Sequence, residues 1–373
     1  MASGGTIRDV NPAGAPPAHL ESLQYLRGIA AMMVVYYHAQ VQIDQVVGLS
    51  TLPAAGGSGV DIFFVLSGFV MWWTNQGRQP SAGDFLLKRV IRIAPPYWLF
   101  TLLAGAIALF LPQLLRSTQF DALHLGMSLL FLPWWNPTVP PTDPVALTPV
   151  IVPGWTLNVE MAFYCLFALS LAVAERWRVW VLAASLALLF AAARTVFAGT
   201  PLQFYGTDLL AEFLAGVLLA RLIMHVPARG TASWIGLFAI AFAALLYLDF
   251  DRPALPQCIS LGIPALLCVI AALQVERGGA LPRSRLLSLL GDASYSIYVS
   301  HVFVIPGARM ASLLVGFDMA MFDGALFVAL AMIGAALFGI AFHLIVEKPM
   351  LAVINRRLRG VRRPPASAEF AAR

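Results

Sequence analysis

Charged residues are scarce in this sequence, and their scarcity restricts the class of protein. Asp, Glu, Lys and Arg make up 12% of the chain and hydrophobic residues 60%, whereas soluble domains carry about 25% charged residues. The polar sequence is divided into short stretches between apolar blocks, which leaves no room for a sizeable soluble domain. The net charge of +5 does not require a nucleic-acid partner, because membrane proteins carry excess Lys and Arg in cytoplasmic loops.

Cysteines and common catalytic motifs are also few or absent. The three cysteines, Cys165, Cys258 and Cys268, all lie inside apolar blocks, where they are typical of small core or lipid-facing residues and not of a disulfide or metal framework. The sequence contains no HExxH, P-loop, GxSxG or CxxC motif. Zinc hydrolysis, nucleotide hydrolysis and a nucleophile-elbow serine therefore lack support, and no metal is predicted.

The first twenty residues lack the apolar core of a signal peptide. They are rich in Ala, Pro and Gly, which predicts a disordered cytoplasmic tail over 1–20 instead of a cleavable leader. A transmembrane domain is predicted over 21–350, and a basic cytoplasmic tail over 351–373.

Apolar blocks near the length of a bilayer span recur along the chain, and they predict the fold class. That class is all-α: a polytopic membrane helix bundle with about ten transmembrane helices. The block at 121–135 is short and precedes a Pro-rich run, so it is predicted to be interfacial or re-entrant. The predicted spans are 23–41, 58–74, 96–112, 155–174, 179–198, 207–224, 233–249, 257–274, 294–315 and 324–347.

The distribution of basic residues predicts the orientation of the bundle. Lys88, Arg89 and Arg92 follow the second span, so they are predicted to lie in a cytoplasmic loop. Gln42–Gly57 and Pro133–Gly154 contain no Lys or Arg and are predicted to be external. Both termini are then predicted to be cytoplasmic, with the bundle embedded among membrane lipids.

Ionisable residues at membrane depth are functional candidates. Arg27 and His38 are eleven positions apart on one helix face, roughly 16 Å along the axis. In the predicted topology His38, Asp61 and Glu160 lie at a similar depth in the membrane, near the external side. Asp208 is predicted at the start of a helix on the same side. An imidazole with nearby carboxylates suits general-base chemistry on a hydroxyl.

A second set of ionisable residues is predicted at the cytoplasmic face. Arg27, Arg89, Arg92 and Glu347 belong to it, and the basic residues of the set suit phosphate groups. A Lys/Arg cluster after a span is equally a topology signal, and Arg27 also fits a helix-end residue that extends its charge to the interface.

Two further alternatives stay open. Hydrogen bonding of His301 to Ser294 or Tyr298 explains that residue as well as a site role does. Intramembrane His and Glu also suit the proton relay of a proton-coupled transporter, although no internal repeat is apparent.

Seven motifs occur in order over about 23–350, and together they carry a family resemblance: YLRGIAAMMVVYYHA, GVDIFFVLSGFVM, KRVIRIAPPYW, PGWTLNVEMAFY, FYGTDLLAEFLAG, LGDASYSIYVSHVFV and EKPM. The chain resembles the acyltransferase-3 family of bacterial membrane O-acyltransferases that act on glycans. Thr156 stands where the family usually has Ser and keeps the hydroxyl. The chain ends too early for the extra helix and SGNH domain of some members, so it resembles the stand-alone form.

The resemblance implies an acyl-CoA donor, commonly acetyl-CoA, on the cytoplasmic side. It implies as acceptor a hydroxyl of an exported or cell-surface glycan or lipid-linked sugar, such as O-antigen or exopolysaccharide. A small-molecule acceptor such as a macrolide or Nod-factor sugar is the alternative. The implied residues are His38 as general base with Glu160 and Asp61; Arg27, Lys88, Arg89 and Arg92 at the donor; and Trp155, Asn158, Asp208, His301 and Glu347 for substrate binding.

Overall fold

A computed structural model describes residues 20–48, 55–114, 118–143, 145–227, 230–319 and 324–361. Residues 1–19 of the predicted tail 1–20, residues 362–373 of the predicted tail 351–373, and part of the predicted external loop Gln42–Gly57 lie outside these residues. Residues 351–361 of the second predicted tail are helical. Fourteen α-helices are described: α1 Glu21–Val47, α2 Gly59–Asn75, α3 Ala82–Phe110, α4 Ala122–Leu129, α5 Gly154–Ser170, α6 Glu175–Arg194, α7 Leu210–Leu222, α8 Thr231–Phe250, α9 Gln257–Ser260, α10 Gly262–Arg277, α11 Arg285–Asp292, α12 Ser294–Leu314, α13 Ala325–Phe342 and α14 Lys348–Val361.

The described residues contain helices and no strand, which confirms the predicted all-α class. Six helical segments are long and apolar enough to cross a membrane: Ala82–Phe110, Glu175–Arg194, Thr231–Phe250, Gln257–Arg277, Ser294–Leu314 and Ala325–Leu358. The other four predicted spans correspond to α1, which is long but less apolar, and to α2, α5 and α7, which have 17, 17 and 13 residues. The chain is therefore a multi-pass membrane protein, and ten spans remain a prediction.

Helix α3 begins earlier than the sequence suggested. Lys88, Arg89 and Arg92 do not lie in a loop before a helix at 96; they lie on the first turns of α3. The Ser81 side chain caps this helix by accepting a hydrogen bond from the Asp84 amide at 3.1 Å, a common helix start. Because Arg89 and Arg92 are three residues apart in a helix, their side chains share one face.

Helix α2 lies at the centre of the bundle, and glycine allows its neighbours to come close. A Cβ on Gly68 would collide with the Phe213 carbonyl oxygen of α7, and one on Gly216 would collide with the Val65 carbonyl oxygen of α2. Small residues at such crossings let two membrane helices approach closely. On its other side α2 begins where Gly59 packs against the Ala30 carbonyl of α1.

Carboxylates from distant helices hold the first turns of α1 and α2. Asp249 accepts hydrogen bonds from the backbone amides of Gly56 and Ser58, at 2.6 and 2.9 Å. Glu276 accepts one from the Ser22 amide at 3.0 Å. A negative charge is favourable at a helix start, where backbone N–H groups lack partners. These contacts fix α1 and α2, which both contribute to the site.

The segment after α3 folds back against the bundle. Its helix α4 has only eight residues, too few to span a bilayer. The buried His124 side chain donates its Nε2 hydrogen to the Thr148 carbonyl at 2.9 Å, and the Val150 amide donates to the Ser128 hydroxyl at 3.1 Å. Burial lowers the pKa of the His124 imidazole, so the ring is favoured in its neutral form.

Two helical segments near the end of the chain were not predicted as separate elements. Helix α11, Arg285–Asp292, precedes α12, and a π-helical turn, His343–Glu347, joins α13 to α14. Turns of π-helix inside α-helices are frequent at functional sites. Glu347 lies at the end of this turn, where its side chain is fully buried.

Candidate active site

A cavity of about 150 Å³ lies between α1, α2, α3, α5 and α12. We call it the central cavity. Its polar lining comes from all five helices, and these helices meet only in the folded chain. The polar lining residues are Arg27, Ser67, Arg89, Arg92, Thr156, Glu160, Tyr164, Ser294, Tyr295 and Tyr298.

Two arginines offer free hydrogen-bond donors to the central cavity. The guanidinium of Arg89 lies over the rings of Phe85 and Tyr164, with 5.4 and 5.9 Å from its central carbon to the ring centroids. Among the described residues, neither Arg27 nor Arg89 donates a hydrogen bond or forms a salt bridge. Arginine donors without a hydrogen-bonded partner are available for a planar anionic partner.

The third arginine of the cavity is held by a buried network. Arg92 forms a 2.8 Å salt bridge with Glu347. Glu347 also accepts hydrogen bonds from the Ser296 hydroxyl at 2.6 Å and from His343 Nδ1 at 2.8 Å. Because the carboxylate is fully buried and has three partners, it fixes the position of Arg92 at the cavity wall.

Glu160 lies with the arginines and not with His38. Its Oε1 accepts hydrogen bonds from the Ser67 hydroxyl at 2.8 Å and from the Tyr164 hydroxyl. Its charge also interacts with the Arg27 guanidinium. Neither His38 nor Asp61 is among the residues that line the central cavity, so the predicted grouping of His38, Asp61 and Glu160 is not seen around it.

His38 pairs with a second histidine. The rings of His38 and His301 are 5.0 Å apart between centroids, and the ring of Tyr298 lies 5.8 Å from that of His301. Tyr298 lines the central cavity and donates a hydrogen bond to the Pro153 carbonyl at 3.0 Å. The histidine pair thus lies next to the cavity, with Tyr298 in the wall between them.

His301 does not form the hydrogen bond to Ser294 or Tyr298 that the sequence left open. Its side chain is fully buried, and within the described residues neither ring nitrogen has a hydrogen-bond partner. The ring interacts with the backbone of Ile297 and Tyr298, but the geometry falls short of a hydrogen bond.

Asp61 belongs to a different group of polar residues. It is fully buried, accepts a hydrogen bond from Gln257 Nε2 at 3.0 Å, and interacts with Glu212. The partners are on α9 and α7, whereas α2 begins beside Ala30, eight residues before His38. The shared depth in the predicted topology did not place Asp61 at the histidine.

The remaining predicted residues are dispersed around these groups. Trp155 packs its ring edge against Phe64, with centroids 6.4 Å apart. Asn158 is fully buried, and neither side-chain atom has a partner among the described residues. Asp208 accepts a hydrogen bond from the Cys258 amide at 3.0 Å, and Lys88 is exposed outside the cavity lining.

Several polar residues of the site were not singled out from the sequence. Tyr164 follows Glu160 by four residues, a spacing that puts two side chains on one helix face, so it could have been found. His343 likewise precedes Glu347 by four residues. The links from Ser67 to Glu160 and from Ser296 to Glu347 carry a weaker signal. They depend on which helices are neighbours.

The arrangement combines anion binding with proton transfer. Three guanidinium groups face two carboxylates around the central cavity, which leaves an excess of positive charge next to two imidazole groups. Guanidinium groups suit phosphate, and an imidazole can accept the proton of a hydroxyl. This combination fits an acyltransferase that works inside a membrane bundle and takes its acyl group from a phosphate-bearing donor.

Comparison with known families gives the same class. Residues 20–344 match the acyltransferase domain that defines the acyltransferase-3 family, and the chain belongs to this family. The resemblance inferred from the seven ordered motifs is thereby confirmed, and with it the expectation that the protein is an acyltransferase.

Relatives of known name cover most of the chain. It is 35% identical over 304 residues to the exopolysaccharide production protein ExoZ of Rhizobium meliloti (strain 1021), which covers 79% of this chain and 90% of the relative. It is 30% identical over 393 residues to the acyltransferase MdmB of Streptomyces mycarofaciens, covering 95% and 96%. The peptidoglycan O-acetyltransferase OatA of Listeria monocytogenes is 27% identical over 77% of this chain and 49% of its own length. No solved structure matches the chain.

Proposed function

We propose that this protein is an O-acyltransferase, in particular an O-acetyltransferase, that moves an acyl group from cytoplasmic acyl-CoA to a hydroxyl of an exported or cell-surface glycan. The observation that carries the proposal is the arginine-lined central cavity, which adjoins the His38–His301 pair across Tyr298. The family and the relatives that act on exopolysaccharide or peptidoglycan support it.

The donor is proposed to bind with its phosphate groups at the arginines. Arg27 and Arg89 have unused donors, and Arg92 is held at the cavity wall by Glu347. Arginine matches phosphate oxygens with two parallel hydrogen bonds, which a lysine cannot do. Lys88, exposed one residue from Arg89, is proposed to act only as a nearby positive charge at the entrance.

The acyl group is proposed to pass from the cavity beyond Tyr298 to His38. His38 acts as general base and takes the proton of the acceptor hydroxyl, which attacks the thioester carbon. Glu160 is proposed to contact the donor inside the cavity, where Ser67 and Tyr164 orient its carboxylate. For Asp61 we propose a positioning role, because its partners are Gln257 and Glu212.

The acceptor is proposed to approach from the external side of the bacterial inner membrane. This proposal rests on ten spans with both termini cytoplasmic, the orientation that the basic residues favour. The acceptor side then includes Trp155, Asn158 and Asp208, near the start of α5 and α7. A lipid-linked sugar would keep the hydroxyl close to the bilayer.

Acyl analysis of the cell's products tests the proposal. A deletion strain is complemented with the wild type, with His38→Ala or with His225→Ala, a control at an exposed histidine outside the site, and polysaccharide acetyl content is measured by mass spectrometry. We expect acetylation with the wild type and the control and none with His38→Ala. Full acetylation with His38→Ala would contradict the role of His38 as base.

The same complementation experiment and a transport assay separate the alternatives. If the deletion removes acyl groups from secreted small molecules and not from polysaccharide, the acceptor is a small molecule and the acyl-transfer chemistry is unchanged. Uptake of a solute by proteoliposomes in the absence of acyl-CoA would instead indicate a proton-coupled transporter and contradict the proposal.

A further inference from the structure

We propose that His301 is a second catalytic residue, which receives the proton taken by His38 and delivers it to the departing sulfur of the acyl donor. The inference rests on the proposed function and extends it to the leaving group. It comes from the position of His301 between the central cavity and His38.

The burial of His301 has no evident packing reason. Its side chain is fully buried, and within the described residues neither ring nitrogen has a hydrogen-bond partner. Its neighbours one turn away on α12, Ile297 and Ile305, are buried apolar residues of a continuous cluster. A buried polar group without a partner is unfavourable, so an apolar side chain would suit this position better if packing were its only task.

The geometry of α12 aligns His301 with the cavity. Tyr295 and Tyr298 both line the cavity, and His301 follows Tyr298 by three residues, which is about 4.5 Å farther along the helix. Residues at this spacing are neighbours on a helix surface. A donor that holds its phosphates at the arginines and extends past Tyr298 therefore brings its sulfur toward His301.

The proposed step balances in atoms and charge. The acceptor hydroxyl loses its proton to His38 while its oxygen forms a bond to the thioester carbon. The carbon–sulfur bond then breaks, and the thiolate leaves with the electron pair. His38 passes its proton to His301, whose ring lies 5.0 Å away between centroids, and His301 gives a proton to the sulfur. Both imidazoles end neutral, and the products are an ester and a thiol.

Kinetics of full-length variants in membranes test the proposal. Membranes from the producing cells supply the native acceptor, labelled acetyl-CoA is the donor, and acetyl transfer to the polysaccharide fraction is measured. We expect His301→Gln to lower kcat by about 10²–10⁴-fold, the usual contribution of a general acid or base, with an unchanged KM for acetyl-CoA. His225→Ala is the matched histidine control and is expected to behave like the wild type.

Two readouts separate proton transfer from a structural role. Added imidazole is expected to restore part of the activity of His301→Ala and none of that lost in Arg89→Ala. For the wild type, the rate is measured at several fractions of D₂O. Its dependence on that fraction is expected to indicate that two protons are transferred in the rate-limiting step. The second measurement needs no variant and therefore does not depend on folding of a mutant.

The outcomes distinguish this inference from the proposed function. No transfer by the wild type would overturn both. Transfer by the wild type together with full kcat in His301→Gln, or a change confined to KM, would overturn only the role of His301. A dependence on the D₂O fraction that indicates transfer of a single proton would also overturn it.

Discussion

Arg92 and Glu347 form a 2.8 Å salt bridge although 255 residues separate them in the sequence. Arg92 lies on α3 and Glu347 on the π-helical turn after α13, so the bridge joins an early helix to the carboxyl-terminal part of the bundle. It also connects the wall of the central cavity to the buried Ser296 and His343. The position of a donor-site arginine therefore depends on the carboxyl-terminal part of the chain.

Replacing Glu347 by Gln is expected to weaken donor binding and to destabilise the protein. Glutamine keeps one acceptor oxygen but has no charge for Arg92, and its NH₂ group faces donors and leaves a buried donor unsatisfied, at a cost of about 1–3 kcal/mol. Thermal unfolding in detergent and the KM for acetyl-CoA measure the two effects. Glu175→Gln is the control, because Glu175 is 40% exposed and its salt bridge with Arg178 is 4.0 Å long. Equal behaviour of the two variants would contradict a special role of Glu347.

Replacing Arg89 by Ala is expected to raise the KM for acetyl-CoA. The loss of a hydrogen bond to a charged group costs about 1.5–3 kcal/mol, which is about 10–150-fold in affinity. Arg89→Lys should be intermediate, since an ammonium keeps the charge but not the planar pair of donors. Lys88→Ala removes a neighbouring charge outside the cavity lining, and its KM should rise less than that of Arg89→Ala. A KM in Arg89→Ala no higher than in Lys88→Ala would remove the arginine from the donor site.

Replacing Gly68 or Gly216 by Ala is expected to disrupt the crossing of α2 and α7. The new Cβ would overlap a backbone carbonyl of the facing helix, so the helices must separate. We expect a loss of about 1–3 kcal/mol, as for overpacked cores, measured as a lower midpoint of unfolding in detergent. Gly236→Ala on α8 is the matched control, because a Cβ there meets no neighbouring atom. It is expected to stabilise the helix by up to about 1 kcal/mol.

Replacing Asp61 by Asn is expected to leave acyl transfer close to the wild-type level. The amide oxygen of an asparagine can still accept the 3.0 Å hydrogen bond that Gln257 Nε2 donates to Asp61. Asp61→Leu, in contrast, would leave the Gln257 amide without this acceptor and cost about 1–3 kcal/mol. Acetyl transfer by both variants is measured at equal protein amount. Loss of transfer in Asp61→Asn with normal folding would show that the carboxylate itself is catalytic.

Local patterns in the sequence predicted the helices but misplaced some of their ends. Hydropathy located most of the helices within a few residues, because it depends on neighbours along the chain. It placed the start of α3 at 96, since Lys88, Arg89 and Arg92 are polar, although Ser81 starts the helix much earlier. A polar turn of a membrane-protein helix and a polar loop have the same composition. Only the hydrogen bonds distinguish them.

The sequence by itself determined the class of this protein: a membrane helix bundle of the acyltransferase-3 family, with Arg27 and His38 on α1. It also supplied the candidate residues, because charge at membrane depth is rare enough to stand out. The tertiary structure alone decided which candidates meet. It put Glu160 with the arginines, Asp61 with Glu212, and His38 with His301. The reason is that such contacts depend on the tilt and spacing of helices, which are set by close crossings such as Gly68 against Phe213, and these pairings join residues far apart in the chain.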